Sequence, residues 1–205
     1  MLDYIFQSKQ SLKHISFLRR IFLKEMSGKL HIQFADGEHH QVCFFHGNFA
    51  DSEHSIIPIL QKTLTQQVLK FAWQESSVLP EGTYGWNAPW ITITRALDDL
   101  KFENNRLIIY YRTFCQLPPV ILKDCLIHFF DCDDEKTYYK LHQLSLGTPR
   151  FNLKLFFSGK LTKTRVTERV RVLLLVYLLG YLRPAPNKAP ASKKADIVER
   201  ILKRF

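Results

Sequence analysis

The sequence predicts an α+β protein. A small N-terminal helix-plus-antiparallel-sheet domain (1–77) is followed by a mostly helical, winged-helix-like domain (78–183). A flexible basic tail (184–205) closes the chain. Three observations carry this. Apolar residues alternate with polar ones through residues 28–49, around Asp-Gly and Gly-Asn turn dipeptides. After residue 88 the apolar spacing changes to three and four. From Pro184 a Pro/Ala/Lys stretch offers no large apolar side chain to bury.

The first helix is expected over 11–26, with Leu12, Ile15, Leu18, Phe22 and Met26 on one face and Ser27-Gly28 as its stop. Leu30, Ile32 and Phe34 alternate with Lys29, His31 and Gln33, the pattern of a half-buried strand. Asp36-Gly37 turns the chain into a return strand at 40–46, and Gly47-Asn48 turns it again toward Phe49 and Ala50. Ile56 to Leu64 form a helix with Pro58 in its first turn, where proline is tolerated. Residues 68–74 alternate as one more strand. The Pro/Gly-rich stretch 77–90 is the domain boundary.

Beyond it, Pro89 opens a helix through about Phe102, broken by Asn104-Asn105. Pro118-Pro119 starts another helix, with Ile121, Leu122, Cys125, Leu126 and Phe129 on one face. The acidic run at 131–135 caps a helix over Lys136 to Leu144. A short helix covers Phe151 to Phe157, and the longest covers 163–181 and ends at Gly180. The unbroken apolar run Val172 to Leu179 marks that last helix as a core element.

Residues 11–74 resemble the PATAN domain, a bacterial signalling module. The residues that carry the likeness are Leu18 and Ile21 in the helix, then Gly28, Leu30, Ile32, Gly37, Val42, Phe44 or Phe45, Gly47, Phe49 and Ala50. The end of the helical domain resembles a degenerate winged-helix unit, through Thr137 to Leu144, Phe151 to Phe157, and Leu173 to Gly180-Tyr181-Leu182. The resemblance implies a non-catalytic interaction module in bacterial signalling, motility, type IV pilus or secretion assemblies.

Charge divides the chain more sharply than hydropathy does. Residues 1–77 hold 8 basic and 7 acidic residues, 78–145 hold 7 and 9, and 146–205 hold 14 and 3. The net +10 therefore sits in the last 60 residues. Such a block favours an acidic partner. Lys160, Lys163, Arg165, Arg169 and Arg171 crowd the start of the longest helix and are the expected docking face. A protein partner with an acidic face is the first expectation. Nucleic acid is the alternative, since a helix start also reads DNA in helix-turn-helix proteins. No apolar run approaches the ~20 residues of a membrane span. Nothing at the start resembles a secretory signal, so the expected setting is the cytoplasm.

No catalytic residues and no cofactor are expected: there is no G-x-S-x-G elbow and no Gly-rich phosphate loop. Cys125, His128 and Cys132 share a helix face at i, i+3 and i+7, and Cys43, His46, His39 and His40 are conceivable partners. A structural zinc site wants four ligands at paired spacing. That pattern is missing, so the cysteines read as core thiols and no metal is expected. At the C-terminus, Ile197, Val198, Ile201, Leu202 and Phe205 form one apolar stripe, with Asp196 and Glu199 at its start and Lys203 and Arg204 at its end. This short helix is the second expected docking element.

Overall fold

The computed structural model describes residues 13–76, 87–98, 100–123, 132–148 and 150–185. Cys125, His128, most of the 77–90 boundary and the stripe Ile197 to Phe205 lie outside the described residues. The fold class is α+β.

Helix α1 (Lys13–Leu23) buries Ile15 and Leu18 as the spacing expects, and Ile21 with them, whereas Phe22 and Met26 are half-buried. It does not end at Gly28. The chain leaves the helix at Glu25, in the left-handed region at φ 49°, with Met26 N–H bonded back to the Ile21 carbonyl at 3.0 Å. Gly28 answers a different need. A Cβ there would lie 2.4 Å from the Gln74 carbonyl oxygen and 2.7 Å from the Trp73 ring.

Four antiparallel strands follow: β1 (Gly28–Phe34), β2 (His39–Phe45), β3 (Asn48–Phe49) and β4 (Val68–Glu75), in the order β3-β2-β1-β4. Leu30, Ile32 and Phe34 point to the buried face, as the alternation requires. The β1–β2 connection is the four residues Ala35 to Glu38. Gly37 N–H bonds the Phe34 carbonyl at 3.1 Å, and Gly37 takes φ 89°. The β2–β3 turn centres on His46 and Gly47, at φ 47° and 73°, one residue earlier than the sequence suggests. Two positive φ values in succession define the turn that suits a tight hairpin.

Helix α2 (Glu53–Thr65) begins earlier than expected, so Pro58 falls in the second turn. It deprives the His54 carbonyl of its helical donor, and because both residues are exposed, water can serve instead. Helix α3 (Pro89–Asp98) is shorter than expected, and Leu100 and Phe102 are buried in the connection after it. Asn104-Asn105 opens a helix, α4 (Asn104–Cys115), which has no counterpart in the sequence expectation. After Pro118-Pro119 comes a strand, β5 (Val120–Leu122), where a helix is expected. Helix α5 (Cys132–Gly147), the single-turn α6 (Leu153–Phe156), α7 (Lys163–Leu178) and strand β6 (Leu182–Pro184) complete the described chain.

Strand β6 pairs antiparallel with β5, Ile121 opposite Arg183, and Ala185 N–H bonds the Pro119 carbonyl at 2.9 Å. The first residues of the expected tail are therefore tied down. Helix α7 is the hub. Every residue from Val172 to Leu178 is buried, and the helix packs against α1, α3, α4 and α5. It ends in a six-residue cap: Tyr181 N–H to the Val176 carbonyl, Gly180 N–H to the Tyr177 carbonyl, and Gly180 at φ 79°. Arg19 of α1 reaches this end. Its Nε donates to the Tyr177 carbonyl at 2.9 Å and its guanidinium lies 4.7 Å from the Tyr177 ring centre. A cation at a helix C-terminus complements the dipole. One apolar cluster runs from Ile15 to Leu182, so sheet and helices share a core across the compositional boundary.

Candidate functional site

The basic residues gather where α6 turns into α7. Asn152 caps α6, its side chain accepting from Lys154 N–H at 2.9 Å. Gly159, at φ 90°, reverses the chain. Thr162 caps α7 by accepting from Arg165 N–H at 3.3 Å. The result is a fixed corner with Ser158, Gly159, Lys160, Lys163 and Arg165 all exposed.

Arg165 bends back over the corner, Nη1 donating to the Lys160 carbonyl at 3.2 Å. Arg169, one turn further on, is half-buried. It donates to the Ser158 carbonyl at 3.2 Å and lies 5.6 Å from the Phe156 ring centre. Burial first, and then the Arg165 charge, lower its pKa from the ordinary arginine value, with Glu168 acting the other way. No carboxylate of the described residues is within ion-pair distance of Lys160, Lys163 or Arg165. Three of the five expected docking cations are therefore presented to solvent, and Arg169 backs them.

Arg171 is a correction. It does not belong to an open face. Its Nε lies 2.8 Å from Asp134 Oδ2, its Nη2 donates to Asp134 Oδ1 at 2.9 Å, and its Nη1 donates to the Asp98 carbonyl at 2.6 Å. The two side chains are only 11% and 7% exposed. The acidic run is corrected with it. Helix α5 starts at Cys132, so Asp133, Asp134 and Glu135 form its first turn and do not precede it. The dipole still favours them, but Asp134 turns inward to Arg171. Spacing along the chain cannot show a pair separated by 37 residues.

The sequence reading also misses an apolar contribution to the corner. Leu155 of α6, beside exposed Lys154, is itself 53% exposed. The run Leu153 to Phe157 looks uniformly buried because it has no polar residue except Lys154.

The conceivable metal partners do not converge. Cys43 is buried and its N–H donates to Asp51 Oδ2 at 2.6 Å, His40 pairs with Glu38 at 2.9 Å, and His46 occupies the β2–β3 turn. Among the described residues no three His, Cys, Asp or Glu side chains stand together as a ligand set. Nor is any described helix long and apolar enough to cross a membrane. No family model, curated protein or solved structure matches the chain.

Proposed function

We propose that the chain is a non-catalytic adaptor whose α6–α7 corner docks an acidic face of a protein partner. The observation that carries this is a set of exposed cations on a rigid, capped helix start whose remaining turns are locked in the core. Lys160, Lys163 and Arg165 lose little order on docking, because the Thr162 cap and the buried stretch Val172 to Leu178 already hold their backbone. Opposed potentials then raise the association rate, an effect that falls with salt. Leu155 supplies an apolar contact beside the charges. The likeness of residues 11–74 to PATAN domains supports a place in a bacterial signalling, motility, pilus or secretion assembly.

One observation favours the alternative, nucleic-acid binding. Strand β6 follows α7 and pairs with β5. The order α4-β5-α5-α6-α7-β6 thus resembles that of winged-helix domains, in which the helix at the place of α7 meets the groove.

The test is capture of partners from the source cell with and without nuclease, comparing the wild type with the charge reversal K160E/K163E/R165E. Adaptor docking gives protein capture that survives nuclease, is lost in the triple variant and falls with salt. Capture that vanishes with nuclease overturns the adaptor in favour of the nucleic-acid reading. Capture unaffected by the triple variant excludes this corner from both.

A further inference from the structure

A cleft of about 1200 Å³ lies on another part of the molecule, between the open end of the sheet and α4. Tyr110 donates from its hydroxyl to the Leu64 carbonyl at 2.8 Å and ties α4 to the last turn of α2. Arg106 stands one turn before Tyr110 on the same face of α4 and lines the cleft. It is half-buried and has no hydrogen-bond or ion-pair partner among the described residues. The carboxylate that could have taken it, Asp36, is held by Lys62 at 2.6 Å, and Lys62 also holds Glu38 at 2.6 Å.

Two features aim at the same space. His14, 5% exposed, lines the cleft, and its Nε2 has no partner among the described residues. A buried ring nitrogen without a partner carries a desolvation cost that a bound group can relieve. Burial and the Arg106 charge push the ring's pKa down to about 4, so it is neutral, and a backbone hydrogen bond to Thr63 engages the ring's other nitrogen, which leaves Nε2 as an acceptor. The second feature is the start of α4. Its N-cap, Glu103, makes no side-chain cap bond, so the amides of the first turn lack that acceptor. The walls add apolar surface: Leu69 is 59% exposed, and Ile109 lies beside it in the cleft.

We propose that this cleft binds a monoanionic carboxylate carried on an apolar body, with Arg106 as its charge partner and His14 Nε2 as an acceptor for an N–H or O–H beside that carboxylate. Glu103 at the lip sets the class. Its negative charge opposes a dianion such as phosphate, and it offers an acceptor to an N–H or O–H near the ligand's carboxylate. A peptide C-terminus and a small organic acid share this chemistry.

The experiment is an NMR titration of the full chain, following the Arg106 Nε–H and His14 imidazole signals. Four probes are compared: 2-hydroxybutyrate, a degenerate pool of N-acetylated tetrapeptides with free C-termini, the same pool amidated, and inorganic phosphate. The proposal requires 2-hydroxybutyrate or the free-acid pool to move both signals while the amidated pool leaves them unchanged. Response to 2-hydroxybutyrate alone names small acids, and response to the free-acid pool alone names peptides. In R106Q, with its melting temperature checked, binding should weaken about 10–150-fold, as loss of a charged hydrogen-bonded pair implies. No movement with either carboxylate probe, equal movement with the amidated pool, or stronger binding of phosphate would overturn it.

Discussion

The buried pair Arg171–Asp134 offers the sharpest test, because sequence and structure assign Arg171 opposite roles. Arg171→Met removes two contacts to Asp134, at 2.8 and 2.9 Å, and takes the Arg171 charge away from a carboxylate that is 7% exposed. Breaking a buried pair from one side costs about 3–5 kcal/mol, because the remaining charge is uncompensated. For a chain of this size that is a fall in melting temperature of roughly 6–20 °C. Asp134→Asn removes the guanidinium's counter-charge, while Nη1 keeps the Asp98 carbonyl, and should cost a similar amount or less. Replacing both, as Arg171→Met with Asp134→Leu, removes the stranded charge, and stability should recover to within about 1–2 kcal/mol of wild type. Urea unfolding followed by Trp fluorescence gives all four corners of the cycle. The reasoning fails if Arg171→Met unfolds within about 0.5 kcal/mol of wild type, the range of ordinary surface substitutions. It fails decisively if that variant also loses partner capture, for Arg171 would then belong to the docking face.

Stability should fall as pH drops from 6.5 toward 4, because the unfolded His14 takes up a proton that the folded ring, at about 4, still refuses. The gap is worth about 3 kcal/mol, is fully present above pH 6.5, and should disappear from the pH–stability curve of His14→Gln; an unchanged slope would sink it. Gly28→Ala should cost about 1–3 kcal/mol or more, since the new methyl meets Gln74 and Trp73 at 2.4 and 2.7 Å. At Gly37, where nothing lies within 4 Å, alanine should cost only about 1 kcal/mol for its positive φ; equal losses at both sites would refute the contact argument. Truncation after Ala185 keeps β6, whereas truncation after Gly180 removes it together with fully buried Leu182, so only the second should markedly lower the melting temperature relative to the first.

The sheet half is legible because its signals are local. The alternation at 28–34 and 39–45 has one solution once Gly37 and Gly47 fix the turns. Elsewhere, local signals have two readings. Asn104-Asn105 interrupts the apolar pattern after α3, but asparagine also starts helices well, and here it does both. Val120 to Leu122 is too short for periodicity to separate strand from helix, and its partner lies some sixty residues downstream at Leu182 to Pro184. The corner was legible as a run of cations. The exclusion of Arg171 was not, since its partner is set by how α5 lies on α7. The cleft was not legible either, because His14, Arg106 and Glu103 become neighbours only when α4 docks on the end of α2.

The Arg19 contact has a consequence for how the chain is made. Its two acceptors, the carbonyls of Tyr177 and Leu182, lie 158 and 163 residues downstream. At synthesis rates of about 5–20 residues per second, α1 leaves the ribosome roughly 8–30 s before they exist. In that interval its apolar face can settle on the sheet, but Arg19 has no helix end to neutralise and Leu23 has no Gly180 to cover. The first helix of the described residues is thus among the last to be completed. Mutations at Tyr177 or Gly180 should therefore show in cells as degradation of nascent or newly released chains, with the exposed end of α1 as the early point of attack.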